Sequence, residues 1–300
     1  MVYTVAIIVT YNRRTPLLAC LSAVAGQTRK ADKILIIDNA STDGTIETLE
    51  KSGWLLQPNV ELVTLEKNIG GAGGFHVGMR LAFREGAEWL WIMDDDCIPE
   101  PDCLKNLLRA PLLLPTNLRD NIGFLASRVI WKDKSPCLMN IPVPHGLWIE
   151  PHFYSSNLSR LTASSFVSML VSRKAVVQHG LPVKEFFIWF DDSEFSRRIS
   201  NEMYCYLVSD SVVTHETSSN FSALDFRQLT QESLWKFSYG IRNEASYHFE
   251  KDSLLSGSLF CLRTITRAIR HTKSWKLRFA VARACWSGFR FRYTRYIEHV

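Results

Sequence analysis

Four short apolar runs recur between helical stretches in the first hundred residues, and each one ends in a polar cluster. Val5 to Thr10, Lys33 to Ile37, Val60 to Leu65 and Trp89 to Met93 are β-branched or aromatic and too short for helices, so they read as buried strands. Pro16 to Ala25 carries helical spacing after the turn-like Asn12-Arg13-Arg14, and Asp43 stands where it can cap a helix running toward Ser52. Gly78 to Arg84 continues a helix opened by the glycines at 70, 71, 73 and 74. Strand and helix alternating at this spacing predict an α/β fold. Its sheet is parallel and covered on both faces, with a ligand crevice at the carboxyl ends of the strands. The four exits are Thr10-Tyr11-Asn12-Arg13, Asp38-Asn39, Glu66-Lys67-Asn68 and Asp94-Asp95-Asp96, so the crevice is expected to be used.

Further on, Ser164 to Ser172 reads as another strand, Glu185 to Phe190 as an aromatic approach and Ser193 to Asn201 as a helix. From Gln228 the texture changes to long helical periodicity, which puts a boundary near Ser222. With 46% hydrophobic and 22% charged positions the 300 residues make a globular chain, and disorder and fibrous repeats are excluded. A net charge of +5 is too mild to argue for nucleic acid. Seven cysteines without a CxxC pair fit reduced thiols better than a disulfide frame or a zinc site. No apolar run reaches the roughly 18 residues that span a bilayer, and the first residues lack the basic start of a signal peptide. The expectation is a cytoplasmic chain.

Three consecutive carboxylates, Asp94-Asp95-Asp96, repel one another unless a cation or a donor sits among them. Carboxylate oxygens suit Mg²⁺ or Mn²⁺, which bind through one or two protein carboxylates and leave other positions to water and substrate phosphate. In extended backbone Asp94 and Asp96 point to one side and Asp95 to the other. A solvated acidic turn capping the helix after Pro99 is the alternative. Asn68 to Phe75, with its four glycines, lets backbone approach a ligand and opens a helix whose N-terminus favours anions. The dinucleotide fingerprint fails because His76 occupies its last glycine position, and the P-loop fails because Met79 follows Gly78. Close packing of helix on sheet explains such glycines equally well. Asp191, Asp192 and Glu194 stand at a helix start, where capping accounts for one acid. Together, behind the aromatic Trp189-Phe190, they suggest a base beside a substrate hydroxyl, ionised at neutral pH if its pKa is near the ordinary value of about 3.9. His215 ends a β-branched run and can offer a neutral nitrogen to a metal, although a lone histidine is more often a satisfied structural residue.

These motifs taken together resemble the family 2 glycosyltransferases of the GT-A fold over at least residues 3 to 220. They are Val9-Thr10-Tyr11-Asn12-Arg13, Ile37 to Gly44, Asn68 to Phe75, Met93 to Asp96 and Phe190 to Arg198. The glycine run, the triple Asp and Trp189 to Phe195 most resemble bacterial galactofuranosyltransferases, and rhamnosyltransferases using dTDP-rhamnose share much of this frame. The resemblance implies a GT-A catalytic domain over 1–222 and a C-terminal helical region over 223–300. It implies that Thr10 and Arg13 line a nucleotide pocket with Asn39 beside them, and that Asp38 accepts from a uracil N3–H. Asn68, Gly71 and Gly74 would lie against the donor diphosphate. Asp94 and Asp96 would hold Mn²⁺ or Mg²⁺ with His215 completing the shell, and Asp95 would face the ribose or sugar. Asp192 would be the base, with Asp191 and Trp189 on the acceptor. The activity implied is inverting, metal-dependent transfer of a sugar from a nucleotide-sugar donor, UDP-galactofuranose first, to a lipid-linked glycan acceptor of a bacterial surface polysaccharide. A non-catalytic binding protein on the same fold is the rival reading. It would be expected to lose some of Asp94, Asp96, Asp192 or His215, and all four are present.

The last fifty residues hold eleven Lys/Arg against Asp252 and Glu298, a net charge of +9, interleaved with Trp275, Phe279, Trp286 and Phe289. Such helices fit an anionic membrane face, which suits a lipid-linked acceptor and places the protein peripherally on the inner face of the cytoplasmic membrane. A helical cap with a solvated basic face is the alternative; nucleic acid is not expected as a partner. Trp235 to Asn243 resembles a helical segment of the same transferases, with packing its expected role and Arg242 near enough, on a second reading, to reach a diphosphate.

Overall fold

The computed structural model describes residues 2–146 and 157–300. Its first four strands are β1 (Thr4–Thr10), β2 (Lys33–Asp38), β3 (Val60–Thr64) and β4 (Trp89–Asp94), parallel and ordered β3-β2-β1-β4. Chain order therefore reverses between β1 and β4, the point where an α/β sheet opens a crevice at its carboxyl edge. Side chains alternate across this sheet as a period of two demands. Ala6, Ile8, Ile34 and Ile36 pack under the Arg14–Ala25 helix, while Val5, Ile7, Val9, Leu35 and Ile37 pack against Phe75 and Met79 of the Gly70–Arg84 helix. With both faces covered, β1, β2 and β4 read as continuous apolar runs, whereas the edge strand β3 is half-exposed.

Beyond β4 the sheet becomes mixed. β9 (Met169–Ser172) lies antiparallel between β4 and β6 (Ile122–Ile130), and β10 (Tyr204–His215) runs parallel to β6. The short β5 (Cys97–Pro99) pairs with the end of β10, and β7 (Val143–Pro144) and β8 (Leu158–Ala163) close the far edge. The run 164–172 is thus not one strand. Residues 164–168 form a buried turn between β8 and β9, with Ser168 at φ 54° and its hydroxyl accepting from Trp91 Nε1 at 2.9 Å. Asp43 is not the N-cap of the Thr45–Lys51 helix either: Gly44 takes that position at φ 86°, and Asp43 Oδ1 instead accepts from the Thr45 N–H.

The helices Leu234–Tyr247, Leu254–His271 and Trp275–Arg290 gather around a third apolar cluster that includes Phe237, Ile241, Ala268, Val281 and Cys285. The chain end returns to the sheet domain. There the Glu298 carbonyl accepts from Leu181 N–H at 2.9 Å, and its carboxylate meets His76 at 3.1 Å.

Candidate active site

The acidic turn at the end of β4 owes its shape to β5. Pairing of His215 with Cys97 across β10 and β5, and the Glu216 N–H donating to the Asp96 carbonyl at 2.9 Å, hold His215 opposite Asp96. His215 Nε2 stands 3.0 Å from Asp96 Oδ1, while its Nδ1–H donates to Asn140 Oδ1 at 2.7 Å. The Asn140 amide nitrogen in turn donates to Ser165 Oγ at 2.9 Å, which fixes the amide orientation. On the other side Arg13 bridges the turn, with Nε 3.0 Å from Asp95 Oδ1 and Nη2 2.7 Å from Asp96 Oδ2. Thr10 donates its hydroxyl to Asp95 Oδ2 at 2.6 Å.

These contacts divide the three carboxylates electrostatically. Burial and the neighbouring Asp96 charge push Asp94 up to about 6. Burial pushes Asp95 to about 7, although Thr10 and Arg13 favour its charge. Asp96 resists its own burial because His215 and Arg13 hold it below the usual carboxylate range. Burial pulls His215 down, yet its bond to Asp96 outweighs this and lifts it to about 10. Both imidazole nitrogens therefore face acceptors, and the ring either carries two protons or gives Nε2 to a cation.

That donor set suits a hard divalent ion, with an imidazole nitrogen oriented from behind by Asn140, Asp96 Oδ1 beside it and Asp94 on the adjoining wall. One ligand atom each of Asp96, Cys97 and His215 lies within 4.8 Å of the others. Cys97 does not belong to such a set. Burial raises its thiol well above the ordinary range, and a protonated sulfur is no ligand for Mg²⁺ or Mn²⁺.

Asp191 and Asp192 open the Asp191–Ser200 helix, whose N-cap is Phe190 in left-handed backbone. Burial and the mutual charge raise Asp191 well above the usual range, and desolvation raises Asp192 to about 6, against the Ser193 N–H donating to its Oδ1 at 2.6 Å. The ordinary pKa expected for the base is thus corrected upward by enclosure. Glu194 is spent elsewhere, held by Arg198 at 2.8 Å in a buried ion pair.

The segment leading into this helix is strained. Phe187, Trp189 and Phe190 have φ of 67°, 63° and 72°, a region that bulky side chains avoid. Three neighbours hold them there. Asn243, fully buried, donates its amide to the carbonyls of Phe186, Ile188 and Trp189 at 3.0, 3.2 and 2.8 Å. Arg242 donates to Asn243 Oδ1 at 2.7 Å and to the Glu185 carbonyl at 2.6 Å. Gly70, at φ 80°, approaches so closely that a Cβ there would stand 2.0 Å from the Phe187 oxygen. Asn243 thus does more than the packing expected of its segment, and no signal near position 243 reveals partners more than fifty residues away.

Two cavities meet at this point. The larger, about 880 Å³, is lined by Thr10, Arg13, Asn39, Asn68, Gly71 and the acidic turn, and by Trp235, Lys236 and Tyr239 from the first C-terminal helix. The smaller, about 280 Å³, is lined by Asp191, Asp192, Phe166 and Glu244. Asp94, Gly71, Trp189 and His215 belong to both walls. Most of the expected residues are therefore brought together, with two exceptions. Asp38 is fully buried behind the larger cavity, where Oδ2 accepts from Ser41 N–H at 3.0 Å and Oδ1 has no partner among the described residues. Gly74 packs on the sheet, since a Cβ there would meet Val9 at 2.4 Å. Asn39 lines the cavity and also ties down the glycine helix, its amide donating to the Gly70 carbonyl at 3.2 Å. Gly71 has open space where a Cβ would project, so it leaves a ligand room.

Comparison with known proteins agrees with this architecture. Residues 5–110 match the model of glycosyl transferase family 2. The chain is 29% identical over 206 residues, 65% of its length, to the galactofuranosyltransferase GlfT1 of Mycolicibacterium smegmatis, and that alignment spans 64% of the relative. It is 36% identical over 92 residues to GlfT1 of Mycobacterium tuberculosis, covering 30% of this chain and 29% of that one. Among solved structures, GalNAc-T7, crystallised with UDP, GalNAc and Mn²⁺, superposes with a TM-score of 0.63 at 14% identity, over 97% of this chain and 55% of that one. Residues 1-349 of S. aureus TarS in complex with UDP-GlcNAc superpose with a TM-score of 0.53 at 14% identity, over 99% of this chain and 91% of that one. Residues 5–110 thus carry a glycosyl transferase family 2 domain, in a chain that is homologous to GlfT1 galactofuranosyltransferases and shares the GT-A glycosyltransferase fold.

Proposed function

We propose that this chain is an inverting, divalent-cation-dependent transferase that moves galactofuranose from UDP-galactofuranose to a lipid-linked glycan acceptor. One observation carries the reading. The acidic turn and Asp192 line different cavities that share a wall at Asp94, so a donor and an acceptor can meet there from opposite sides. The donor occupies the larger cavity, its nucleotide near Thr10, Arg13 and Asn39 and its diphosphate against Gly71 at the open end of the Gly70–Arg84 helix, where N–H groups favour anions. Asp96 and His215, with Asp94 on the adjoining wall, would hold Mn²⁺ or Mg²⁺, which when bound would neutralise charge on the diphosphate leaving group.

Asp192 takes the proton as the acceptor oxygen forms its bond to the anomeric carbon and the bond from that carbon to the diphosphate oxygen breaks. Attack from the face opposite the leaving group inverts the centre. A base with a pKa of about 6 is mostly ionised at neutral pH yet more basic than a free carboxylate, and general-base help of this kind contributes about 10² to 10⁴ fold. Residues 1–222 form the catalytic domain, and 223–300 supply part of both cavity walls and the membrane-facing surface. That surface carries Leu255, Leu262, Trp275 and Phe279, at 69, 62, 70 and 65% exposure, among the arginines of two helices. Among the described residues no helix is long and apolar enough to cross a membrane, and the fitting partner is an anionic membrane surface. The test is a donor panel of UDP-galactofuranose, UDP-galactopyranose and dTDP-rhamnose with Mn²⁺, using native protein and Asp192→Asn. Turnover of the first alone, lost in the variant while UDP still binds, is expected. Turnover of dTDP-rhamnose instead, or full activity of Asp192→Asn, refutes the assignment.

A further inference from the structure

We infer that the smaller cavity is built for a neutral, hydroxyl-rich sugar and excludes anionic ones, with Glu244 a binding residue for the acceptor. This deepens the transferase reading above and rests on it. Among the described residues four carboxylates, Asp94, Asp191, Asp192 and Glu244, line a space of about 280 Å³, and no lysine or arginine does. Two of them have assigned work and Asp191 stands beside the base. Glu244 does not belong to the family domain: it comes from the Leu234–Tyr247 helix, directly after the residue that holds the strained segment.

Among the described residues Glu244 makes no hydrogen bond and no ion pair. Arg197, Arg267 and His248 act on it at longer range, but none of them lines the cavity. A partly buried carboxylate without a partner is an acceptor for hydroxyl donors, and a sugar brings several of these. Trp189 and Phe166 add apolar faces on which the C–H side of a pyranose or furanose ring packs. A uronate or phosphorylated sugar would instead bring its charge beside the carboxylates of Asp192 and Glu244, with His215 the one imidazole among the described lining residues, and like charges repel there.

The experiment uses the full chain saturated with UDP and Mn²⁺. Saturation-transfer NMR measures binding of methyl β-galactopyranoside, methyl β-glucopyranoside and methyl α-rhamnopyranoside against methyl β-glucuronide. We expect at least one neutral glycoside to bind and the glucuronide not to. Losing a charge-assisted bond in Glu244→Ala should weaken the neutral glycoside about tenfold or more with UDP affinity unchanged. Glu244→Gln keeps the shape, and should lose less affinity while beginning to admit the glucuronide. Three results each overturn the inference: glucuronide binding native protein as well as the neutral sugars, Glu244→Ala binding neutral glycosides as native does, or no glycoside binding to the UDP-loaded protein. Failure of native protein to bind UDP is a different result, which overturns the donor reading beneath it.

Discussion

Replacing Asn243 by Ala should cripple transfer far more than it weakens donor binding, because its amide opposes the strain in the segment before the base, of which the donor cavity takes only one wall. Three bulky residues in left-handed backbone, Phe187, Trp189 and Phe190, cost roughly 1–2 kcal/mol each relative to relaxed conformations. Asn243 meets three carbonyls with two N–H groups, so one hydrogen is shared. Counting about 1 kcal/mol for each of two net bonds, and up to a further ~2 kcal/mol for carbonyls left buried and unpaired, the loss is about 2–4 kcal/mol. That is comparable to the strain, so the segment is expected to leave its native conformation for most of the time. At 1.4 kcal/mol per factor of ten, the acceptor-side kcat/KM should fall roughly 30- to 700-fold. The assay pairs transfer kinetics with calorimetric UDP binding, which should change less than about threefold. Asn243→Asp separates donation from volume: it keeps the shape and the partner for Arg242 but turns a donor into an acceptor facing carbonyls, and should be at least as damaging. Native transfer in either variant, accompanied only by a lower Tm, would show that Gly70 and the Asp191–Ser200 helix suffice to hold the segment.

The acceptor-side rate should fall about tenfold per pH unit below about 6 and level off above it, since desolvation raises Asp192 and only its ionised form takes a proton; a pH profile flat down to 4.5 would remove Asp192 as base. Asn140→Leu deletes the partner of His215 Nδ1–H and should weaken Mn²⁺ binding roughly 10- to 100-fold in titrations with UDP present, an unchanged Kd counting against His215 as a ligand. In flotation with anionic liposomes the native chain should rise with the vesicles, whereas a variant with Leu255, Leu262, Trp275 and Phe279 replaced by Ser should stay below; equal behaviour would refute the membrane-facing surface.

What the sequence made legible is what local rules govern. A β-branched run between turns is a strand whatever surrounds it, so β1 to β4 and their polar exits could be read directly, and with them Thr10, Asn68 and the acidic turn at the switch point. The buried turn at 164–168 could not, because Ser164-Ser165-Phe166-Val167-Ser168 has strand-like composition. The turn is held where the Ser168 hydroxyl meets Trp91 and Ser127 from two other strands. Asn140 was equally hidden, a polar residue in a Pro-rich stretch whose partner lies 75 positions away. The clearest case is the segment 187–190. Local preference puts bulky aromatics at negative φ, so residue by residue the sequence argues against the backbone found. Consistency across levels fails there, and it fails beside the proposed base, between Gly70 on one helix and Asn243 on another. Strain of this kind persists only where the surroundings over-determine it. Here the surroundings include a C-terminal helix beyond the matched residues 5–110, which makes that helix part of the proposed catalytic geometry rather than an appendage to it.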